Sequence, residues 1–314
     1  MTDTRSRRLT LAAAIGLLGL AGAAAAAPTA KTKAPAAAKA PAASPCDVLA
    51  DDPEDPFRAA PGVDQHAIDV SKALPACQAA LTADDTGGRL WYAYARVLQR
   101  AGDNKGALDG FQQAAARGYP IAENLLGVMF QNARQLDQAA LWFRKSADHD
   151  YLPAQVILAS FYLNGWGGLP QDPNQAVAWY RKAADQGYPL AQVTLAALYR
   201  SGNGVAQNDA LALQWAKKAA DQNYAPGQSM VAGMYHNGWG VKKDDKAALA
   251  LYLKAAEQGY QPAQAQLGLT YHNGWGVPVD DKKAAEWLQQ AADAGYQPAA
   301  DLLAAMRKDA GGKP

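Results

Sequence analysis

An all-α fold, an α/α superhelical solenoid, is predicted by three features of this 314-residue sequence. Six tyrosines, Tyr119, Tyr151, Tyr188, Tyr224, Tyr260 and Tyr296, recur at spacings of 32, 37, 36, 36 and 36 residues, each followed within two residues by Pro. The residue before each tyrosine is Gly118, Asp150, Gly187, Asn223, Gly259 or Gly295, the types that best tolerate the left-handed conformation ending a helix. Small residues stand at fixed offsets: four before the tyrosine (Ala115 to Ala292), three after it (Ala122 to Ala299) and eight after it (Gly127 to Ala304). Such a period marks stacked helix pairs that bury their apolar faces only against one another.

Taken in chain order, residues 1–27 carry Arg5, Arg7 and Arg8, the apolar run LTLAAAIGLLGLAG and small residues up to Ala27. This reads as a cleaved export signal and implies a periplasmic or secreted protein. The run is too short and too Ala/Gly-rich to favour a stable membrane span. Ser6-Arg7-Arg8-Leu9-Thr10-Leu11 is similar to a twin-arginine signal, with Thr10 where that pattern prefers Phe, so Sec and twin-arginine export both stay open. Residues 28–45, almost entirely Ala, Pro and Lys, lack apolar periodicity and read as a disordered linker.

Residues 46–85 form a Cys-containing N-terminal module with nine Asp/Glu against Arg58 and Lys72. The remainder, with 22 Lys/Arg against 19 Asp/Glu, is nearly balanced. Neither balance supplies the concentrated basic face that nucleic-acid binding needs. The two cysteines, Cys46 and Cys77, are an isolated even pair in an exported chain and read as a disulfide. Metal binding and a redox pair are the alternatives, but no ligating His/Cys cluster accompanies them and redox pairs usually sit closer in sequence, so no metal or other cofactor is expected.

The chain should be all helical from about residue 64 onward, ending in a C-terminal capping helix and tail, residues 297–314. Within the pairs, Leu126, Leu158, Leu195, Val231, Leu267 and Leu303 supply apolar filling. The loops NGWGG (164–168), SGNGV (201–205) and NGWGV (237–241 and 273–277) are tight turns inside each pair. Asp172, Asp209, Asp245 and Asp281 are then expected as N-caps of the second helices. Trp142, Trp179, Trp215 and Trp287, with Leu251 in the same slot, are expected as buried packing residues between layers.

The run Ala263 to Tyr296 fills the pattern A-x(3)-L-[AG]-x(2)-Y-x-N-G-W-G-V…A…W…AA…GY and resembles the Sel-1-like repeat, the longer cousin of the tetratricopeptide repeat. The resemblance is fullest over residues 151–296. Residues 86–150 lack the NGWG loop, carry Gly110 in the Trp slot and are more similar to tetratricopeptide units. It implies a solenoid of tetratricopeptide/Sel-1-like helix pairs that binds a protein or peptide, often in bacterial envelopes, without a cofactor.

Nucleophile elbows, S-x-x-K, HExxH, Walker and dinucleotide motifs are all lacking, so no catalytic residue is assigned and a non-enzymatic role is expected. His236 and His272 fall in repeated loops, too far apart to share a metal ion, and read as solvated. First helices line the concave face of tetratricopeptide-like arrays, so Gln155, Gln192, Gln228 and Gln264, four residues after their tyrosines, are candidate hydrogen-bonding stations for an extended ligand. A merely solvated polar face is the alternative. The loops near Trp166, Trp239 and Trp275 are the second candidate surface. The expected function is a periplasmic protein–protein interaction scaffold. A cell-envelope hydrolase of β-lactamase-like type and a peptidoglycan-binding protein, with cell-envelope components as partners, remain the alternatives.

Overall fold

The computed structural model describes residues 43–83 and 87–311, so the segments expected as export signal and, nearly all of it, as linker lie outside the described residues. Among the described residues there are fifteen α-helices and no strand. The N-terminal module contributes α1 (Pro45–Ala50), a 3₁₀ turn (Gln65–Ala67) and α2 (Val70–Ala83). Antiparallel pairs follow: α3 (Gly88–Ala101) with α4 (Asn104–Ala116), α5 (Pro120–Asn132) with α6 (Leu136–Asp148), and α7 (Leu152–Asn164) with α8 (Pro173–Asp185). The stack continues with α9 (Pro189–Ser201) and α10 (Asp209–Asp221), α11 (Ala225–Asn237) and α12 (Asp245–Glu257), then α13 (Gln261–Asn273) and α14 (Asp281–Asp293). The last helix, α15 (Gln297–Gly311), packs on α14 as a cap. Among the described residues no helix is long and apolar enough to cross a membrane.

The turns between pairs form as the sequence requires. Gly118, Asp150, Gly187, Asn223, Gly259 and Gly295 all have positive φ, between 60° and 91°. Each following tyrosine from Tyr119 to Tyr260 becomes the N-cap of the next first helix, with Pro in its first turn where a missing N–H costs nothing. The small-residue offsets are close-approach points. Ala122, Ala154, Ala191, Ala263 and Ala299 are fully buried, and a Cβ on Gly227 would meet Ala219 Cβ at 2.7 Å.

Two expectations about the second helices are corrected. The N-caps are Asp172, Asn208, Asp244 and Asp280, whose side chains accept from N–H groups of the first turn, so Asp209, Asp245 and Asp281 are instead the first helical residues. Adjacent capping residues made the sequence ambiguous, and the loop after α7 is one residue longer than its equivalents, which accounts for the 37-residue spacing. Trp142, Trp179, Trp215 and Trp287 are half-buried rather than core. The core slot is the next residue, Phe143, Tyr180, Ala216, Tyr252 and Leu288, all buried. One step along a helix turns a side chain by about 100°, enough to move the tryptophans to the shoulder of the interface. There Lys145, Lys182 and Lys218 lay their ammonium groups over the rings of Trp142, Trp179 and Trp215 at 4.1, 5.1 and 3.7 Å.

Candidate interaction surface

Each first helix runs away from its tyrosine turn and each second helix returns, so the stack has two long edges about 20 Å apart, the length of thirteen helical residues. Tyrosines and glutamines lie along one edge, and the glycine-rich loops along the other. The first helices α9 and α11 touch across the intervening α10, which places these two on the inner side of the stack.

The glutamines expected as exposed stations are buried: Gln155, Gln192, Gln228 and Gln264 are 0%, 3%, 4% and 7% exposed. Their Nε2 atoms close helix ends. Gln155 donates to Ala147 O at 3.2 Å, Gln192 to Ala184 O at 3.1 Å and Gln264 to Ala256 O at 3.3 Å, satisfying last-turn carbonyls of the preceding second helix. Gln228 donates instead to Asn223 Oδ1 at 2.9 Å. Cross-pairs add a second layer, Gln222 Nε2 donating to Gln192 Oε1 at 2.8 Å and Gln258 Nε2 to Gln228 Oε1 at 2.7 Å. In the first pair of this series, buried Glu123 and His149 Nδ1 meet at 2.7 Å in the same place. The placement of each glutamine just past a left-handed turn was the available signal for this capping role. Around Gln228 the layer opens on a shallow groove lined also by Asp221, Asn223, Lys254, Glu257 and Gln258.

The loop edge is a set of staples between pairs. The Trp239 ring lies 4.2 Å from the Arg200 guanidinium, and Trp275 lies 4.3 Å from the His236 ring, in each case on the preceding pair. Trp166 is 45% exposed and meets Phe161 edge-on. His236 and His272 are not simply solvated, because Nδ1 of each meets the first carboxylate of its second helix, Asp245 at 2.7 Å and Asp281 at 2.6 Å. The second loop glycine is required by contact as well as conformation: Gly240 has φ 66°, and a Cβ there would sit 2.4 Å from Asp209 O. No group of three or more His, Cys, Asp or Glu placed to hold a metal ion occurs among the described residues.

At the N-terminal end the inner edge is covered by the module. Cys46 on α1 and Cys77 on α2 are disulfide-bonded and fully buried. Arg96 of α3, 4% exposed, clamps the module by donating to Ala50 O at 2.7 Å, Val63 O at 3.0 Å and Gln65 Oε1 at 3.0 Å. Arg89 pairs with the fully buried Asp47. Asp51 is pushed up to about 6 by burial, although the N–H groups of Ala59 and Ala60 both donate to it at 3.0 Å. Burial also raises Asp55 to about 6, against the opposing effect of the Tyr119 hydroxyl that donates to it. The Tyr92 hydroxyl donates to Asp52 at 3.2 Å, and a pocket of about 290 Å³ lies beside this contact, lined in part by Glu54, Gln65 and Arg96. Sequence reasoning missed the module's contact with the tyrosines, because its partners lie 40 and 64 residues away.

The Sel1 repeat model matches residues 120–151, 152–188, 189–224, 225–260 and 261–296, together more than half of the chain. Among solved structures, a protective antigen of uropathogenic Escherichia coli displaying an SLR fold is similar, at 29% identity and TM-score 0.64 over 76% of this chain. This chain spans 52% of that protein's length. A Sel1 repeat protein from Oxalobacter formigenes is similar at 29% identity and TM-score 0.62, over 68% of this chain and 86% of that one. No curated protein matches this chain in sequence. Five matched repeats, left-handed turns at the repeat period and the stacked helix pairs agree, and the chain belongs to the Sel1 repeat family.

Proposed function

We propose that this chain is a non-enzymatic scaffold of the periplasm or cell exterior that holds a protein or peptide segment along its inner edge. The observation that carries this reading is one amide station per helix pair, repeated from Gln155 to Gln264 and opening at Gln228 on a groove rimmed by exposed Lys254 and Glu257. Repeated stations suit an extended polypeptide, which offers a donor and an acceptor at every residue. Because the glutamines are buried and close helix ends, contact falls to the groove's rim with Gln228 on its floor. The buried Cys46–Cys77 bond supports an oxidising compartment.

A photo-crosslinking residue placed at position 254, with another at Lys242 on the loop edge, tests the reading in cells exporting the chain. Protein adducts at 254 and not at 242 are expected. Adducts at 242 alone would move the surface to the loops near Trp166, Trp239 and Trp275. Turnover of a β-lactam or muropeptide by the purified chain, abolished by one point mutation, would overturn the non-enzymatic reading.

A further inference from the structure

The segment Asp52-Pro53-Glu54-Asp55-Pro56-Phe57 covers the head of the tyrosine row in two tight turns, Asp55 N–H donating to Asp52 O at 3.1 Å and Arg58 N–H to Asp55 O at 3.4 Å. It meets the row at Tyr119 and Tyr151, and beside them Tyr92, which lies inside α3 and is not a member of the row. Asp52 accepts from the Tyr92 hydroxyl and Asp55 from the Tyr119 hydroxyl, while the Phe57 ring sits 6.5 Å from the Tyr119 ring and 6.4 Å from that of Tyr151. Asp55 is 1% exposed, so a carboxylate with an aromatic ring two residues on is fully accommodated there.

The row does not end at Tyr151. Tyr188, Tyr224 and Tyr260 occupy the same N-cap position on α9, α11 and α13, and Tyr296 precedes α15. Neighbours in this row lie close enough to influence one another electrostatically, Tyr151 with Tyr188, Tyr224 with Tyr188 and Tyr260, and Tyr260 with Tyr296. The hydroxyls of Tyr188, Tyr224, Tyr260 and Tyr296 have no hydrogen-bond acceptor among the described residues. As phenols they are protonated donors at neutral pH, and burial raises their titration further.

We infer that the tyrosine row is a binding track whose first stations, Tyr119 and Tyr151, hold the chain's own Asp55–Phe57 segment, and whose stations at Tyr188, Tyr224 and Tyr260 take a partner segment bearing a carboxylate with an aromatic side chain two residues after it. The tyrosine hydroxyl selects an acceptor, a carboxylate accepts more strongly than an amide, and the ring fills the space between adjacent tyrosines. A long acidic tract is not the preferred occupant, because Asp221 and Glu257 share the groove with Lys254.

This inference rests on the inner-edge reading above and names the chemistry of its occupant. The probe is a fluorescent hexapeptide, Asp-Pro-Phe-Asp-Pro-Phe, titrated by anisotropy into the full chain with its disulfide formed. The peptide should bind at least tenfold more tightly than Asn-Pro-Phe-Asn-Pro-Phe. The triple variant Tyr188→Phe, Tyr224→Phe, Tyr260→Phe, which removes only hydroxyls lacking an internal acceptor, should weaken binding at least tenfold with an unchanged melting curve. Absence of binding, equal affinity for the Asn peptide, or indifference to the triple variant would overturn the inference. So would tighter binding to Tyr92→Phe, Tyr119→Phe, since the peptide would then be competing for the module's own stations. None of these outcomes alters the crosslinking result at position 254, so the scaffold reading stands or falls separately.

Discussion

Between Tyr119 and Tyr296 the buried side chains are mainly Ala, Leu, Val, Phe and Tyr, and the buried polar groups are chiefly amides, three of which close helix ends, and hydroxyls that donate to backbone carbonyls. Between Pro45 and Ala101 the buried set includes Asp47, Asp51, Asp55 and Arg96 together with a disulfide. The difference follows from position. An internal pair meets a copy of itself on both sides and can use one apolar solution repeatedly, whereas a terminal pair needs a covering element that is not a repeat. The module covers it through individual charged contacts that occur once and are not repeated along the chain, so the same loss of one side chain should act differently in the two regions.

The strongest break is expected in the repeats. Phe143 is fully buried, packs edge-on against Phe161 at 5.4 Å and leaves no room for a Cβ on Gly127, so Phe143→Ala should cost about 3 to 5 kcal/mol in chemical denaturation. A slightly smaller and more local effect is expected in the module. Removing the Cys46–Cys77 bond, which closes a separation of 31 residues, should cost about 3 to 4 kcal/mol. Hydrogen exchange should then show faster opening of α1 and α2 while α11 to α14 keep their protection. Uniform loss across the chain would mean that module and repeats unfold as one unit.

Trp215→Ala sharpens the comparison within the repeats. A fully buried tryptophan would cost as much as Phe143, but Trp215 is half-buried with Lys218 across its exposed face, so a loss of about 2 kcal/mol is expected. A loss as large as that of Phe143→Ala would restore Trp215 to the core.

The repeats were legible because every signal was printed several times. Turn, small-residue and leucine positions agreed across units, and the structure uses them as close-approach and packing points except at Ala304, which is exposed on the capping helix. What failed were distinctions of one residue: Asp244 against Asp245 as cap, and Trp179 against Tyr180 as core. Both neighbours in each case suit either role by type, and only the packing angle separates them. The inner face of the glutamines was legible as periodic and polar, but not their burial, because the carbonyls they satisfy belong to the preceding helix. In the module only the cysteine pair could be read. Contacts such as Arg96 with Val63 and Tyr119 with Asp55 join residues 33 and 64 apart and occur once, so no period announces them.

The smallest effect concerns the sign of the module's pH dependence. Asp55 is raised from 3.8 to about 6 by burial, so the folded chain holds that proton more tightly than the unfolded chain between those values. Its contribution to stability is therefore complete below about pH 4 and declines as pH rises through 6, opposite to a carboxylate held by a salt bridge. Between pH 5 and pH 7 the decline should amount to about 1 kcal/mol. Asp55→Asn keeps the shape and abolishes the titration, so unfolding monitored at the module should lose that increment of pH dependence relative to the unsubstituted chain. Asp51 and the Asp47–Arg89 pair are common to both chains, and the difference isolates Asp55. An unchanged pH dependence would mean that the Tyr119 hydroxyl and the Phe57 amide, which donates to Asp55 at 2.7 Å, hold the carboxylate ionised despite its burial.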